Sequence, residues 1–198
     1  MIRLVAEAWM GLKAVTRVAG FREDWDQALN LTASGFVRSF FAAAIGIPVF
    51  WYTMQAALRL AADLEVEDLA PITWGEFLVG QLRIWLLFPI LAAVLTRLAN
   101  VKHRFVPWLV LHNWATLFLI LFQGLIFTLY LAGIANASVA ATFYASGYLF
   151  FRLYLHARVA IAALGLPFGQ GLLLGMIPVM ADYVLVILIG QLTGSAAQ

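Results

Sequence analysis

Residues 105–151 read FVPWLVLHNWATLFLILFQGLIFTLYLAGIANASVAATFYASGYLFF, and no formally charged side chain occurs in that run, which is bounded by Arg104 and Arg152. A helix needs about 20 apolar residues to cross the hydrocarbon core of a bilayer. The run is therefore too long for one crossing. It contains one turn signal, Gly133-Ile-Ala-Asn-Ala-Ser138, with residue types that favour a chain reversal. A cut there predicts two spanning helices, near 107–131 and 139–163.

The same reading extends in both directions. Phe36 to Leu58 is uncharged between Arg38 and Arg59 and predicts a span near 36–58. Phe77 to Leu98 predicts a second near 77–98, interrupted by Arg83. Gly165-Leu-Pro-Phe-Gly169 is a breaker, and Gln170 to Leu192, with Asp182 inside it, predicts the last span near 170–192. The fold class expected is thus all-α: a transmembrane helical bundle of five spans over residues 33–194, preceded by an amphipathic segment over 1–32. A transmembrane β-barrel would alternate apolar and polar residues along each strand, and these runs do not.

Composition agrees. The chain is 64% hydrophobic and 11% charged, against about 25% charged in a typical soluble domain, and its mean hydropathy is +0.94. A net charge of +2 gives no electrostatic footprint for nucleic acid. The absence of cysteine removes disulfides, thiolate nucleophiles and cysteine-held metal or iron–sulfur sites. Arg3, Glu7, Lys13, Arg17, Arg22, Glu23, Asp24 and Asp26 interrupt the first 32 residues. No secretory h-region fits between them, so the segment is expected to be retained.

Lys and Arg in short loops set orientation. Arg3, Lys13, Arg17, Arg22 and Arg38, then Arg97, Lys102 and Arg104, then Arg158 fall on alternate loops. The acidic loop of Asp63, Glu65, Glu67 and Asp68 and the turn at Asn136 fall on the others. The expectation is an integral protein of a bacterial inner membrane, N-terminus cytoplasmic and C-terminus outside. Trp74, Trp108, Tyr130 and Tyr144 suit interfacial belts, whereas Trp51, Trp85 and Trp114 lie deeper. On a helical wheel Ile2, Leu4, Val5, Ala8, Trp9, Leu12, Val15 and Thr16 share a face opposite Arg3, Glu7, Lys13 and Arg17, with Met10 misplaced among the charges. That predicts a helix lying in the cytoplasmic interface with Trp9 turned down and its basic residues among lipid headgroups; a docking helix for a partner protein is the competing reading.

Ionisable groups at bilayer depth are costly and are functional candidates. Arg83, Arg152 and Asp182 are three. At about 1.5 Å per residue, Arg83 lies roughly 10 Å from the outer side, Asp182 roughly 15 Å and Arg152 roughly 20 Å. A buried Arg–Asp pair is expected, with one arginine left over to face Glu76 or an anionic group such as a lipid phosphate. The pair reads either as a lock on helix register or as part of a proton or anion path. His112 and His156 fall nearly level and read as haem or metal ligands or, given neighbouring Arg152 and Arg158, as hydrogen-bonding groups; His103 reads as solvated. Asn113, Gln55, Gln81, Gln123 and Gln170 read as interhelical glue, with His112-Asn113-Trp114 the densest polar spot. Gly171 and Gly175 form a GxxxG packing face toward a helix of this bundle or of another copy. Pro48, Pro89 and Pro178 sit inside spans, as kinks or as hinges.

No Walker motif, dinucleotide loop or HExxH sequence occurs, and Ser34, Ser39 and Ser146 have no evident base. The sequons Asn30-Leu-Thr32 and Asn136-Ala-Ser138 fall on the cytoplasmic side and against the membrane. The plan of a cytoplasmic segment, five spans over 36–192 and a short outer tail resembles the Yip1-type membrane proteins. That resemblance implies a non-enzymatic protein, linked in eukaryotes to membrane trafficking, and transfers no site. The function expected is a non-catalytic accessory subunit or scaffold, partnered by membrane lipid and by other subunits or copies of itself. No cofactor beyond bound lipid is expected. The alternatives are a small transporter or channel using the intramembrane Arg and Asp residues, and a haem- or metal-binding redox protein.

Overall fold

The computed structural model describes residues 2–66 and 70–193. Glu67, Asp68 and the last five residues, on which part of the outer-loop reading falls, lie outside them. Among the described residues the chain is helical, with no strand. Helix α1 is Ile2–Ala19, α2 is Ala33–Ser39, α3 is Phe41–Asp63, α4 is Trp74–Leu98 and α5 is Phe105–Leu131. Then come α6, Ala137–Thr142, a π-helical turn Phe143–Tyr148, α7, Leu149–Leu164, and α8, Phe168–Thr193. Four stretches are long and apolar enough to cross a membrane: Ala33–Asp63, Trp74–Leu98, Lys102–Leu131 and Phe168–Gln191. The remaining stretch predicted to span is helical from Ala137 to Leu164, but it is broken by the π turn and carries Arg152, His156 and Arg158.

Local signals set the boundaries. Thr32 caps α2, and the Asn30 side chain holds Thr32 by accepting from its amide at 3.1 Å and its hydroxyl at 2.6 Å. Thr73 and Glu76 form a capping box at the start of α4. Gly133, at φ +72°, turns the chain after α5, and Asn136 caps α6 by accepting from the Val139 amide at 2.9 Å. Both sequons are thus helix-start devices. Gly165 ends α7 in the left-handed conformation, with φ 63°, where glycine carries no Cβ penalty.

Helix α5 is the hub. It is apolar around its whole circumference, the pattern of a buried helix. It packs against α1, α2, α3, α4, α6 and α7, burying Trp108, Leu109, Leu111, Trp114, Leu117 and Phe127. Its polar triplet points three ways. His112 turns to an internal cavity. Asn113 donates to the Ser39 hydroxyl at 2.9 Å. Trp114 lies under Gly11 of α1, where an added Cβ would come within 2.3 Å of the indole.

That contact divides the apolar face of α1. Its buried stripe is Gly11, Ala14, Val15 and Val18, while Val5, Trp9 and Met10 are exposed, Trp9 at 69%. Glycine at position 11 lets the backbone sit on Trp114, and this rotates Trp9 away from the bundle. The C-terminus of α1 is held by α7. Tyr154 donates to the Ala19 carbonyl, Arg158 Nε donates to the Val18 carbonyl at 3.4 Å, and the Arg158 guanidinium lies 3.9 Å from the Phe21 ring centroid. A cation there suits the negative end of the helix dipole. Arg104 lies beside Gly165, 3.4 Å from where a Cβ would stand. The end of α1, the α4–α5 loop and the α7–α8 turn therefore share one end of the bundle. At the other end Tyr130 donates to Asp63 at 2.5 Å, joining the end of α3 to the end of α5.

The deep tryptophans separate. Trp85 and Trp114 are buried in the bundle, and Trp51 stacks on Trp74 at 4.7 Å. Pro48, Pro89 and Pro178 lie inside α3, α4 and α8. The GxxxG face is used within the chain. A Cβ on Gly171 would meet the Ile161 backbone at 3.0 Å, and one on Gly175 would meet the His156 carbonyl at 2.8 Å and Ala157 Cα at 2.9 Å. Since backbone cannot yield, Gly175→Val is expected to cost about 1–3 kcal/mol, read as an earlier unfolding transition on titrating the detergent-purified protein with SDS. Gly169→Val, with open space around it, should leave that transition in place.

Candidate functional site

A cavity of about 150 Å³ lies inside the bundle. Phe50 of α3 and Arg83, Ile84, Leu87 and Phe88 of α4 form one part of its wall. His112, Thr116, Leu119, Ile120 and Gln123 of α5 form another. Tyr144 and Tyr148 of the π turn, Arg152 and His156 of α7, and Pro178, Val179 and Asp182 of α8 complete it.

The charged groups meet at one carboxylate. Arg83 Nη1 donates to Asp182 Oδ1, and Arg152 Nη2 donates to Asp182 Oδ2 at 2.5 Å. The three side chains are 17%, 19% and 9% exposed. The expected Arg–Asp pair is therefore a triad, and neither arginine is left over for Glu76. The Glu76 carboxylate accepts instead from the Thr73 amide and hydroxyl at 2.7 and 2.8 Å. The triad ties α4, α7 and α8 together through one carboxylate. Arg152 also lies 5.2 Å from the Tyr183 ring centroid, within the range of a cation–π contact. Two guanidinium charges against one carboxylate leave the cavity wall at +1, and among the described residues no other Asp or Glu lines it.

Tyr144, Tyr148, Arg152 and His156 recur every four residues. In an α-helix each step of four over-rotates by about 40°, so such a row drifts off one face. The π turn is wider and offsets the drift at its start. All four residues thereby reach the same cavity, with the Tyr144 and Tyr148 rings stacked at 5.9 Å. Tyr144 was expected at an outer belt and Gln123 as glue; both line the cavity, and the four-residue spacing up to Arg152 is the signal that could have found the tyrosines. Asn113 lies elsewhere, on Ser39.

The histidines do come together. Their ring centroids are 4.9 Å apart, edge to face, and His112 stacks on Phe88 at 3.2 Å. His156 Nδ1 is 2.9 Å from the Arg152 carbonyl. A carbonyl only accepts, so Nδ1 carries the proton in that contact. A cavity this size lies below the roughly 300–1,000 Å³ of pockets for drug-sized ligands. Among the described residues no group of three or more His, Asp or Glu side chains stands in metal-binding proximity.

Removing one member of a buried ion cluster strands its partners, whereas replacing the whole cluster with apolar groups is often tolerated. Asp182→Asn is therefore expected to destabilise the fold by about 3–5 kcal/mol in an SDS-unfolding titration. The triple variant Arg83→Met, Arg152→Met, Asp182→Leu should recover most of that loss. Compared with known proteins, the chain matches no family model, no curated protein and no solved structure.

Proposed function

We propose that this chain is a five-span inner-membrane protein, N-terminus cytoplasmic and C-terminus outside, whose working part is the internal cavity. It takes up a small solute there and passes it across the bilayer, as a transporter or channel does. The single observation that carries this reading is the Arg83–Asp182–Arg152 triad on the wall of an internal space. Charge at bilayer depth is expensive, and a lock on helix register needs no cavity beside it. Space that opens onto both guanidiniums, two tyrosines, a glutamine and two imidazoles suits a solute. One motivation for the scaffold or accessory-subunit reading, the Gly171/Gly175 packing face, is met within the chain by α7.

The fifth span in this proposal is Ala137 to Leu164. At about 1.5 Å per residue it reaches about 40 Å, enough for the hydrocarbon core. It packs along α5 and α8, and the short turns on both sides reverse direction. The basic segments at Arg17, Lys102, Arg104 and Arg158 then share the cytoplasmic side, as the positive-inside rule requires. The exposed Trp9, Val5 and Met10 of α1 rest in the interface, and membrane lipid is the partner there. The span order is the basis of the likeness to Yip1-type proteins, which belongs to this proposal.

The absence of native cysteine makes labelling clean. A cysteine at Ile134, which is 74% exposed, should react with an impermeant maleimide in intact spheroplasts, and one at His103 only after permeabilisation. The reverse pattern overturns the orientation. For function, proteoliposomes holding the full chain are loaded with a mixture of small anionic and neutral metabolites and assayed for efflux by mass spectrometry. At least one solute should leave faster than from empty vesicles, and the triple apolar variant, checked for fold by its elution and helicity, should lose that efflux. Equal efflux from variant and wild type overturns the proposal. No efflux, with a stoichiometric partner on native purification, returns the accessory-subunit reading.

A further inference from the structure

We propose that the cavity binds a small organic monocarboxylate, its carboxylate on Arg83 and Arg152 and its short apolar tail against Ile84, Leu87 and Ile120. This rests on reading the cavity as a solute site and names the chemical class of the solute.

Charge comes first. The wall carries +1 once Asp182 is counted against the two arginines. A monovalent anion brings the site to neutrality, a cation raises the imbalance, and a divalent anion inverts it. With the three charged side chains only 9–19% exposed, such imbalances are less screened than at the protein surface. The donors come second. A guanidinium has five N–H groups in a planar fork that matches a carboxylate. Asp182 takes one contact from each arginine, on separate oxygens, so each fork keeps further N–H groups, and both arginines line the cavity. Tyr148, on the same wall, adds a hydroxyl.

Size and polarity narrow the class. About 150 Å³ compares with roughly 30 Å³ of liquid volume per water. That suits an acid of a few carbons. Ile84, Leu87 and Ile120 face the same space. A strongly hydrated inorganic ion would surrender water against them without compensation, whereas a methyl or ethyl group gains by burial there.

A carboxylate can arrive from water or, as a fatty acid, from the bilayer. The test uses the full chain in nanodiscs and reads thermal unfolding by intrinsic tryptophan fluorescence. It compares propionate, its neutral isostere propionamide, chloride at the same ionic strength, and laurate. Propionate is expected to raise the midpoint saturably, with an apparent affinity at least tenfold tighter than propionamide or chloride. The triple variant Arg83→Met, Arg152→Met, Asp182→Leu should lose the shift. In Leu87→Phe, which narrows the space and leaves the triad intact, butyrate should lose more of its shift than formate. Equal shifts with propionamide or chloride overturn the proposal, as does a propionate shift that survives in the triple variant. A shift with laurate alone overturns the water-borne acid. No shift with any ligand also overturns the carboxylate assignment, while efflux of another solute from proteoliposomes would leave the transport reading standing.

Discussion

The carboxylate of Asp182 holds two guanidiniums that arrive from different helices, and that contact ties α4, α7 and α8 together. A lone arginine or aspartate in this interior would carry a desolvation cost of several kcal/mol. Two arginines on α4 and α7 with one aspartate on α8 offset most of that cost only when the three helices stand in one register. The triad therefore favours this packing over registers that would strand a buried charge. Because one carboxylate cannot neutralise two cations, the same contact leaves a residual positive charge beside an open space.

The rest of the molecule serves that register. Gly171 and Gly175 let α8 lie against the backbone of α7, which brings Asp182 within reach of Arg152. Helix α5 supplies a floor on which α3, α4 and α7 all rest, and it directs His112, Thr116 and Gln123 into the cavity while Asn113 and Trp114 serve its other sides. The π turn lets a row of four side chains keep facing inward over more than three turns of helix. Helix α1 closes on α5 and α7 through Gly11 and through Tyr154 and Arg158. The helix that carries Arg152 is thus fixed on one side by α1 and on the other by α8.

Much of this was legible in the sequence because the bilayer imposes a coarse rule. Uncharged runs of sufficient length mark helices, and the turn at Gly133–Ser138 and the breaker at Gly165–Gly169 lie where the structure bends. Charges inside those runs are few enough that Arg83, Arg152 and Asp182 could be singled out and expected to meet. What stayed hidden depends on helix phase. Depth counted along the chain separated the two arginines by about 10 Å, and long side chains erased that difference, so the triad read as a pair. The π turn leaves no compositional trace, so Tyr144 read as a belt residue and Tyr148 was not singled out. The wheel for α1 gave no sign that Gly11 would seat on Trp114 and bury Ala14, Val15 and Val18 in the bundle. His112, Asn113 and Trp114 are neighbours in sequence and diverge in space because successive residues on a helix point about 100° apart.

The triad itself is open to direct observation in a lipid bilayer. Solid-state NMR on protein carrying ¹³C-aspartate and ¹⁵N-arginine reports close contacts between aspartate carboxyl carbons and guanidinium nitrogens. The difference between wild type and Asp182→Asn isolates the contact made by this one residue among the ion pairs of the chain. The account predicts a difference signal from two arginines, which falls to half of the wild-type value when either Arg83 or Arg152 alone is replaced by methionine. A signal from a single arginine, or none, would contradict it.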